Sequence, residues 1–156
     1  MSKQSKPIGT GKRPRKVPYY LDRNLCSDDT IDPLRAAGFR LTTYWDDYGR
    51  VIRQSIPDPS IIAVCGERKQ VLITSDGRLE YTYAIDILNA GIGVVLLVRN
   101  NDGARSWARR LIAAKETIEE KLAAHRKPLL IRVALDGTLT QIRLYRKKGS
   151  RVISVH

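Results

Sequence analysis

Three aspartates in this chain occupy places where a folded sheet would gather them. Asp22 follows the apolar stretch VPYYL, Asp76 follows VLIT after two residues, and Asp58 stands before Pro59 at the head of an apolar-rich segment. In an open parallel α/β sheet, ligands bind beyond the carboxyl ends of the strands. Asp22 and Asp76 fall at two such ends, and Asp58 begins the helix that leads into the VLIT strand. Carboxylates crowded together repel unless a cation lies between them, and hard oxygen ligands suit Mg²⁺ or Mn²⁺. The chemistry open to such a set is metal-assisted hydrolysis. Each acid also has a purely structural alternative: Asp22 as the cap of a turn, Asp58 as a helix N-cap, Asp76 in an Asx turn. Asp46 and Asp47, in the loop after the second strand, and Glu80, four residues past Asp76, are secondary candidates for the same metal site.

The elements that must position these acids follow from apolar runs and their punctuation. Residues 17–21 predict a strand, and Asp28-Asp29-Thr30 caps a helix that runs to Ala37 and stops at Gly38. Residues 39–44 predict a second strand, and WDDYGRVIRQSIP a polar loop. Asp58-Pro59 opens a helix to Arg68, with Pro at a favoured first position. A third strand over 71–74, a helix over 83–90 closed by Gly91 and a fourth strand over 93–98 follow. Continuous apolar strands separated by helices predict a parallel sheet buried on both faces. A long helix over about 103–125 carries Trp107, Leu111, Ala114, Ile118 and Leu122 at helical spacing, which makes the tryptophan a core residue. Residues 129–146 predict a β-hairpin turning at Asp136-Gly137 with Leu135 opposite Thr138. That register places Leu129, Ile131, Val133, Ile142 and Leu144 on a packed face, and Arg132, Gln141, Arg143 and Tyr145 on a wet one. The expected fold class is α/β: a three-layer α/β/α sandwich with a mainly parallel central sheet, plus a C-terminal helix and β-hairpin. Residues 17–156 form one domain, preceded by a flexible basic arm over 1–16.

The 156 residues carry a formal net charge of +12, unevenly spread. Residues 1–16 hold six Lys/Arg and no acid, 17–86 hold eight against eleven Asp/Glu, and 87–156 hold fourteen against five. An acidic segment within a basic protein suggests a carboxylate site inside a surface that attracts polyanions, the alternative being a solvated charged surface. No stretch approaches the length of a membrane span, and the basic N-terminal residues lack a secretory apolar core, so a cytoplasmic protein without a membrane partner is expected. Cys26 and Cys65 lack CxxC spacing and lie far from His125 and His156, which argues for free thiols and against zinc. Two motifs are decoys. GTGK at 9–12 lacks phosphate-loop spacing, and LDGTLT at 135–140 has Ala134 where a haloacid-dehalogenase-type nucleophile would stand.

YYLDRNL (19–25), LRAAGFRLTTYWDD (34–47), IPDPSII (56–62) and VLITSDGRL (71–79), in that order, resemble the PIN-like nucleases, and in particular their toxin-associated (VapC-type) branch. The resemblance covers about residues 17–100, the core of the domain. It implies that Asp22, Asp58 and Asp76 are catalytic metal ligands for Mg²⁺ or Mn²⁺, that Thr74 supports Asp76, and that Arg23 and Arg78 contact phosphate. PIN domains carry a fourth acid that has no fixed counterpart here; Asp46 or Asp47 is a substitute, and one- and two-metal chemistry both stay open. The implied activity is metal-dependent hydrolysis of RNA by the toxin of a toxin-antitoxin pair, with an antitoxin covering the cleft. The basic arm, Arg105, Arg109 and Arg110, and the face of Arg132, Arg143 and Tyr145 would add salt-dependent attraction for RNA. The alternatives are a non-catalytic nucleic-acid-binding module and a small-molecule phosphohydrolase. A homodimer is the default assembly.

Overall fold

The structure, a computed structural model, describes residues 16–50, 56–147 and 151–155. Nearly all of the basic arm therefore lies outside the described residues, as do the side chains of Arg143 and Tyr145. Seven strands form one sheet in the order β2-β1-β3-β4-β5-β6-β7. They are β1 (Pro18–Leu21), β2 (Arg40–Thr43), β3 (Val71–Thr74), β4 (Gly93–Leu97), β5 (Leu129–Val133), β6 (Leu139–Lys147) and β7 (Arg151–Val155). The first five pair in parallel, and β6 and β7 extend the sheet antiparallel. The helices are α1 (Asp28–Ala36), α2 (Tyr44–Tyr48), α3 (Asp58–Arg68), α4 (Ala84–Ala90) and α5 (Ala104–Ala124). Among the described residues no helix is long and apolar enough to cross a membrane.

The inner strands β1, β3 and β4 are almost wholly apolar because both of their faces are covered, whereas the edge strand β2 (RLTT) is partly exposed, and alternation along each strand assigns residues to two cores. Tyr19, Leu21, Val71, Ile73, Val95, Leu97, Leu129 and Ile131 pack with the stripe Ala108, Leu111, Ala114, Ile118 and Leu122 of α5, and with α1. Tyr20, Leu72, Val94, Leu96 and Leu130 pack on the other side with Ile61, Ile62 and Cys65 of α3 and with Ala84 and Ile87 of α4. Trp107 is half-buried against the α5 core, and its Nε1 donates to Asp102. On the second side α3 and α4 approach closely at Gly66, where an added Cβ would meet the Ala90 Cβ at 3.1 Å and its carbonyl oxygen at 3.2 Å. This contact helps set where two of the acids stand, because α3 carries Asp58 and α4 follows the turn after Asp76.

Three expectations are corrected. The segment after the second strand is not all loop: Thr43 Oγ1 accepts from Asp46 N at 3.1 Å and Asp46 Oδ2 accepts from Thr43 N at 2.8 Å, a capping box that starts α2. The C-terminal hairpin gains a third strand, β7, paired with β6. Its first turn is also one residue longer than expected. Ala134 N donates to Thr138 O and Gly137 N to Ala134 O, so Leu135, Asp136 and Gly137 form a three-residue loop with Gly137 at φ +87°. A one-residue slip exchanges the faces. Ile142 therefore lies opposite Leu130 rather than Ile131, and Arg132 lies opposite Thr140. Arg132 does not sit on a wet face: it shares the α4 side with Leu130 and Ile142 and pairs with the buried carboxylate of Glu80.

The tight α3–α4 contact makes a size-specific prediction. Gly66→Val is expected to destabilise the protein by about 1–3 kcal/mol through overpacking against Ala90, read from chemical denaturation midpoints.

Candidate functional site

The strand order reverses between β1 and β3, and the crevice at the carboxyl ends of those two strands is where an open α/β sheet binds ligands. Asp22 continues β1 by one residue, its N–H donating to Ile73 O at 2.9 Å. Alternation puts Asp22 on the same face as Tyr20, and Thr74 on the same face as Leu72, so both turn toward α3 and α4. Asp58 opens α3 on that side, and Asp76 follows β3 after Ser75. Three chain segments far apart in sequence thus deliver one carboxylate each.

A single hydroxyl joins two of them. Thr74 Oγ1 donates to Asp22 Oδ2 at 2.8 Å and accepts from Asp76 N at 3.1 Å. Asp22 Oδ1 accepts from Arg23 N at 2.7 Å. Asp76 Oδ1 accepts from Arg78 N at 3.0 Å, and the Arg78 guanidinium reaches both carboxylate oxygens, at 2.7 Å to Oδ2 from its NH2. The same NH2 lies 3.5 Å from Asp58 Oδ2. Asp22 and Asp76 therefore do serve as caps of the 3₁₀ turns Arg23–Leu25 and Gly77–Glu80. Asp58 does not cap its helix. Pro57 holds that position and no side-chain cap bond is made, so the Asp58 carboxylate serves its helix only through the favourable dipole of the first turn.

The three acids lie close enough for their charges to act on one another. Burial, then the hydrogen bond to Asp76, then the charges of Asp22 and Asp76 push Asp58 up to about 6. Asp22, only 7% exposed, is raised chiefly by burial, against which Thr74 and the Arg23 N–H stabilise its anion. The Arg78 guanidinium holds Asp76 below the usual carboxylate range. Below about pH 6 Asp58 retains a proton beside ionised Asp76, and above it these two carboxylates share the Arg78 cation. An all-oxygen, carboxylate donor set with too little positive charge suits a hard divalent cation. Among the described residues, however, no group of three or more His, Cys, Asp or Glu side chains is placed to hold a metal ion. Arg78, bonded to Asp76 and reaching toward Asp58, supplies the positive charge in this arrangement.

The other candidates go elsewhere. Asp46 caps α2 and pairs with Arg35 at 3.0 Å, and Asp47 pairs with Arg68 at 2.9 Å. Glu80 is 3% exposed and bound to Arg132. Arg110 is a structural clamp, its NH1 donating to Val98 O and Ala134 O and its NH2 to Asp102, whereas Arg105 and Arg109 are exposed. Arg23 is exposed next to Asp22. Two residues near this edge carried no signal in the sequence reading. Arg99 donates to Asn24 O and covers the Trp107 ring, and Tyr83 lies under Arg78 with the guanidinium 5.7 Å from its ring centre. Comparison with known proteins found no matching family model, no matching curated protein and no matching solved structure.

Two outcomes follow from this geometry. Thr74→Val keeps the shape but strips a donor from buried Asp22 and an acceptor from Asp76 N, and is expected to cost about 1–3 kcal/mol in denaturant unfolding. Asp58 has a folded pKa of about 6, above its unfolded value near ~3.9, so its ionisation erodes stability as pH rises through that interval. Asp58→Asn is therefore expected to melt above the wild type at pH 8, with the gap closing toward pH 4.

Proposed function

We propose that this protein is a metal-dependent endoribonuclease that hydrolyses RNA phosphodiester bonds at the crevice between β1 and β3. The observation that carries the reading is the convergence of Asp22, Asp58 and Asp76 from three segments at that crevice, with Asp58 free of any capping role. The three carboxylates would hold Mg²⁺ or Mn²⁺, which when bound polarises a phosphate and lowers the pKa of water. Thr74 keeps Asp22 oriented and ionisable. Arg78 and Arg23 hold phosphate oxygens, Arg78 by exchanging Asp76 for substrate. The charge of +12 draws a polyanion toward the site.

The resemblance of residues 17–100 to toxin-associated PIN-like nucleases supports RNA as substrate and an antitoxin as the protein that covers the cleft. A second reading, a non-catalytic nucleic-acid-binding module, is favoured by one observation: Asp22 and Asp76 also cap their turns, and Arg78 neutralises Asp76 within the chain.

The deciding experiment is incubation of a mixed structured and single-stranded RNA pool with wild type and Asp76→Asn in Mn²⁺, Mg²⁺ or EDTA. Cleavage by wild type that needs metal, and that falls by about a hundredfold or more in the folded variant, is the expected result. Absence of cleavage with equal RNA binding by both proteins supports the binding module.

A further inference from the structure

The end of α5 and the start of β5 border a cavity of about 380 Å³, on the edge of the sheet opposite the three aspartates. β5 runs parallel to β4, so its first residue, Leu129, lies at the amino ends of the strands, whereas Asp22 and Asp76 follow carboxyl ends. The chain leaves α5 at His125, whose N–H donates to Lys121 O at 3.2 Å, and enters β5 at Leu129, whose N–H donates to Ile92 O at 3.2 Å. Only Arg126, Lys127 and Pro128 separate these two anchored residues, so the connection is short and fixed at both ends.

One side of the cavity is basic. His125, Arg126 and Lys127 line it in succession, all three exposed. Among the described residues none of these side chains makes an ion pair or hydrogen bond, and no acid lines the cavity. The other side is apolar, made by Pro128, by buried Leu129 and by buried Leu144 of β6. Gln141 of β6, half-buried, adds an amide that likewise has no hydrogen-bond partner among the described residues.

Basic residues at a helix C-terminus ordinarily offset its dipole, which amounts to about half a negative charge. Lys121 already stands in the last turn of α5 for that purpose. Arg126 and Lys127 add two full charges beyond it, and a helix end needs neither a cavity nor an unpaired amide. Apolar walls with a few placed polar groups are the make-up of a small-molecule site, and the volume lies near the lower end of the range of about 300–1,000 Å³ for such sites. Adjacent guanidinium and ammonium groups bind phosphate through charge-assisted hydrogen bonds. A glutamine amide both donates and accepts, as the polar edge of a nucleobase requires.

We infer that this cavity binds a mononucleotide, with its phosphate on Arg126 and Lys127, its base against Pro128, Leu129 and Leu144, and the edge of that base on Gln141. A bare phosphate or a sugar phosphate would leave the apolar wall unused. A long polynucleotide, whose charges are spread along a strand, needs no cavity. The site takes no residue from the acid crevice, so it stands or falls apart from the nuclease reading.

The test is isothermal titration calorimetry of the full chain in EDTA with the four ribonucleoside 5′-monophosphates, ribose 5-phosphate, adenosine and inorganic phosphate. Amide NMR shifts locate the binding, and thermal melts establish that each variant is folded. At least one mononucleotide is expected to bind with a Kd below about 1 mM and to shift the signals of residues 124–129 and of Gln141. Binding is expected to weaken about 10-fold or more when the base or the phosphate is removed, and again in the Arg126→Ala/Lys127→Ala variant, while Asp76→Asn leaves it unchanged. The inference is overturned if no mononucleotide binds at about 5 mM, or if inorganic phosphate or ribose 5-phosphate binds as tightly as the mononucleotides. Binding that ignores the double substitution, or shifts that gather at Asp22 and Asp76 instead, overturns it as well.

Discussion

The site depends on a buried carboxylate at the end of β1 being kept ionisable. Asp22 is almost wholly removed from water, and burial alone would favour its neutral form. The Thr74 hydroxyl opposes that by donating to it, and the same oxygen receives the Asp76 N–H. One side chain on β3 therefore fixes the first acid and the chain path to the second. Because Thr74 is the last residue of β3 and Asp22 is bonded to Ile73, the parallel pairing of β1 with β3 sets this geometry directly. Asp58 completes it from α3, whose distance from the sheet is set by Ile61, Ile62 and Cys65 and whose approach to α4 is set by Gly66.

Charge is managed in two layers. At the centre, Asp76 and Asp58 share the Arg78 cation, and burial, together with the neighbouring carboxylates, pushes Asp58 up to about 6. Around them lies the Arg132–Glu80 pair, where a buried acid and a partly exposed arginine satisfy each other and tether the Gly77–Glu80 turn to β5. Removing either partner of such a pair leaves a desolvated charge, so its function is to hold the turn's shape rather than to add net stability. The same turn presents Arg78 toward the acids and Tyr81 toward solvent. An acid, its arginine partner and an exposed aromatic ring thus occupy six consecutive residues, Asp76 to Tyr81.

Much of this was legible in the sequence, for physical reasons. Apolar runs such as VLIT and GVVLL have one stable home, a sheet covered on both faces, and the helices between them force parallel pairing. From there Asp22 and Asp76 fall at carboxyl ends, and Asp58 at the start of α3. What escaped was set by geometry at single-residue resolution. Asp136-Gly137 serves a two-residue turn as well as the last positions of a three-residue loop, and only the backbone hydrogen bonds decide which faces Ile142 and Arg132 take. Glu80, four residues past Asp76, looked available for metal, but it is buried against Arg132, a partner 52 residues away that local spacing does not reveal. Asp46 looked available for metal, but Thr43 three residues earlier makes it half of a capping box. Arg78 is two residues from Asp76, a spacing that carries no signal until the 3₁₀ turn folds the guanidinium back on the carboxylates.

The account's central claim is that Asp22, Asp58 and Asp76 form one coupled carboxylate site that accepts a divalent cation. Carboxyl ¹³C NMR titration of the protein, with and without Mg²⁺, tests it most directly. The predicted result is an Asp58 midpoint near 6 beside an Asp76 midpoint below the usual range, with Mg²⁺ driving Asp58 to ionise at lower pH. Independent titration of all three near the ordinary aspartate value, unmoved by Mg²⁺, would contradict it.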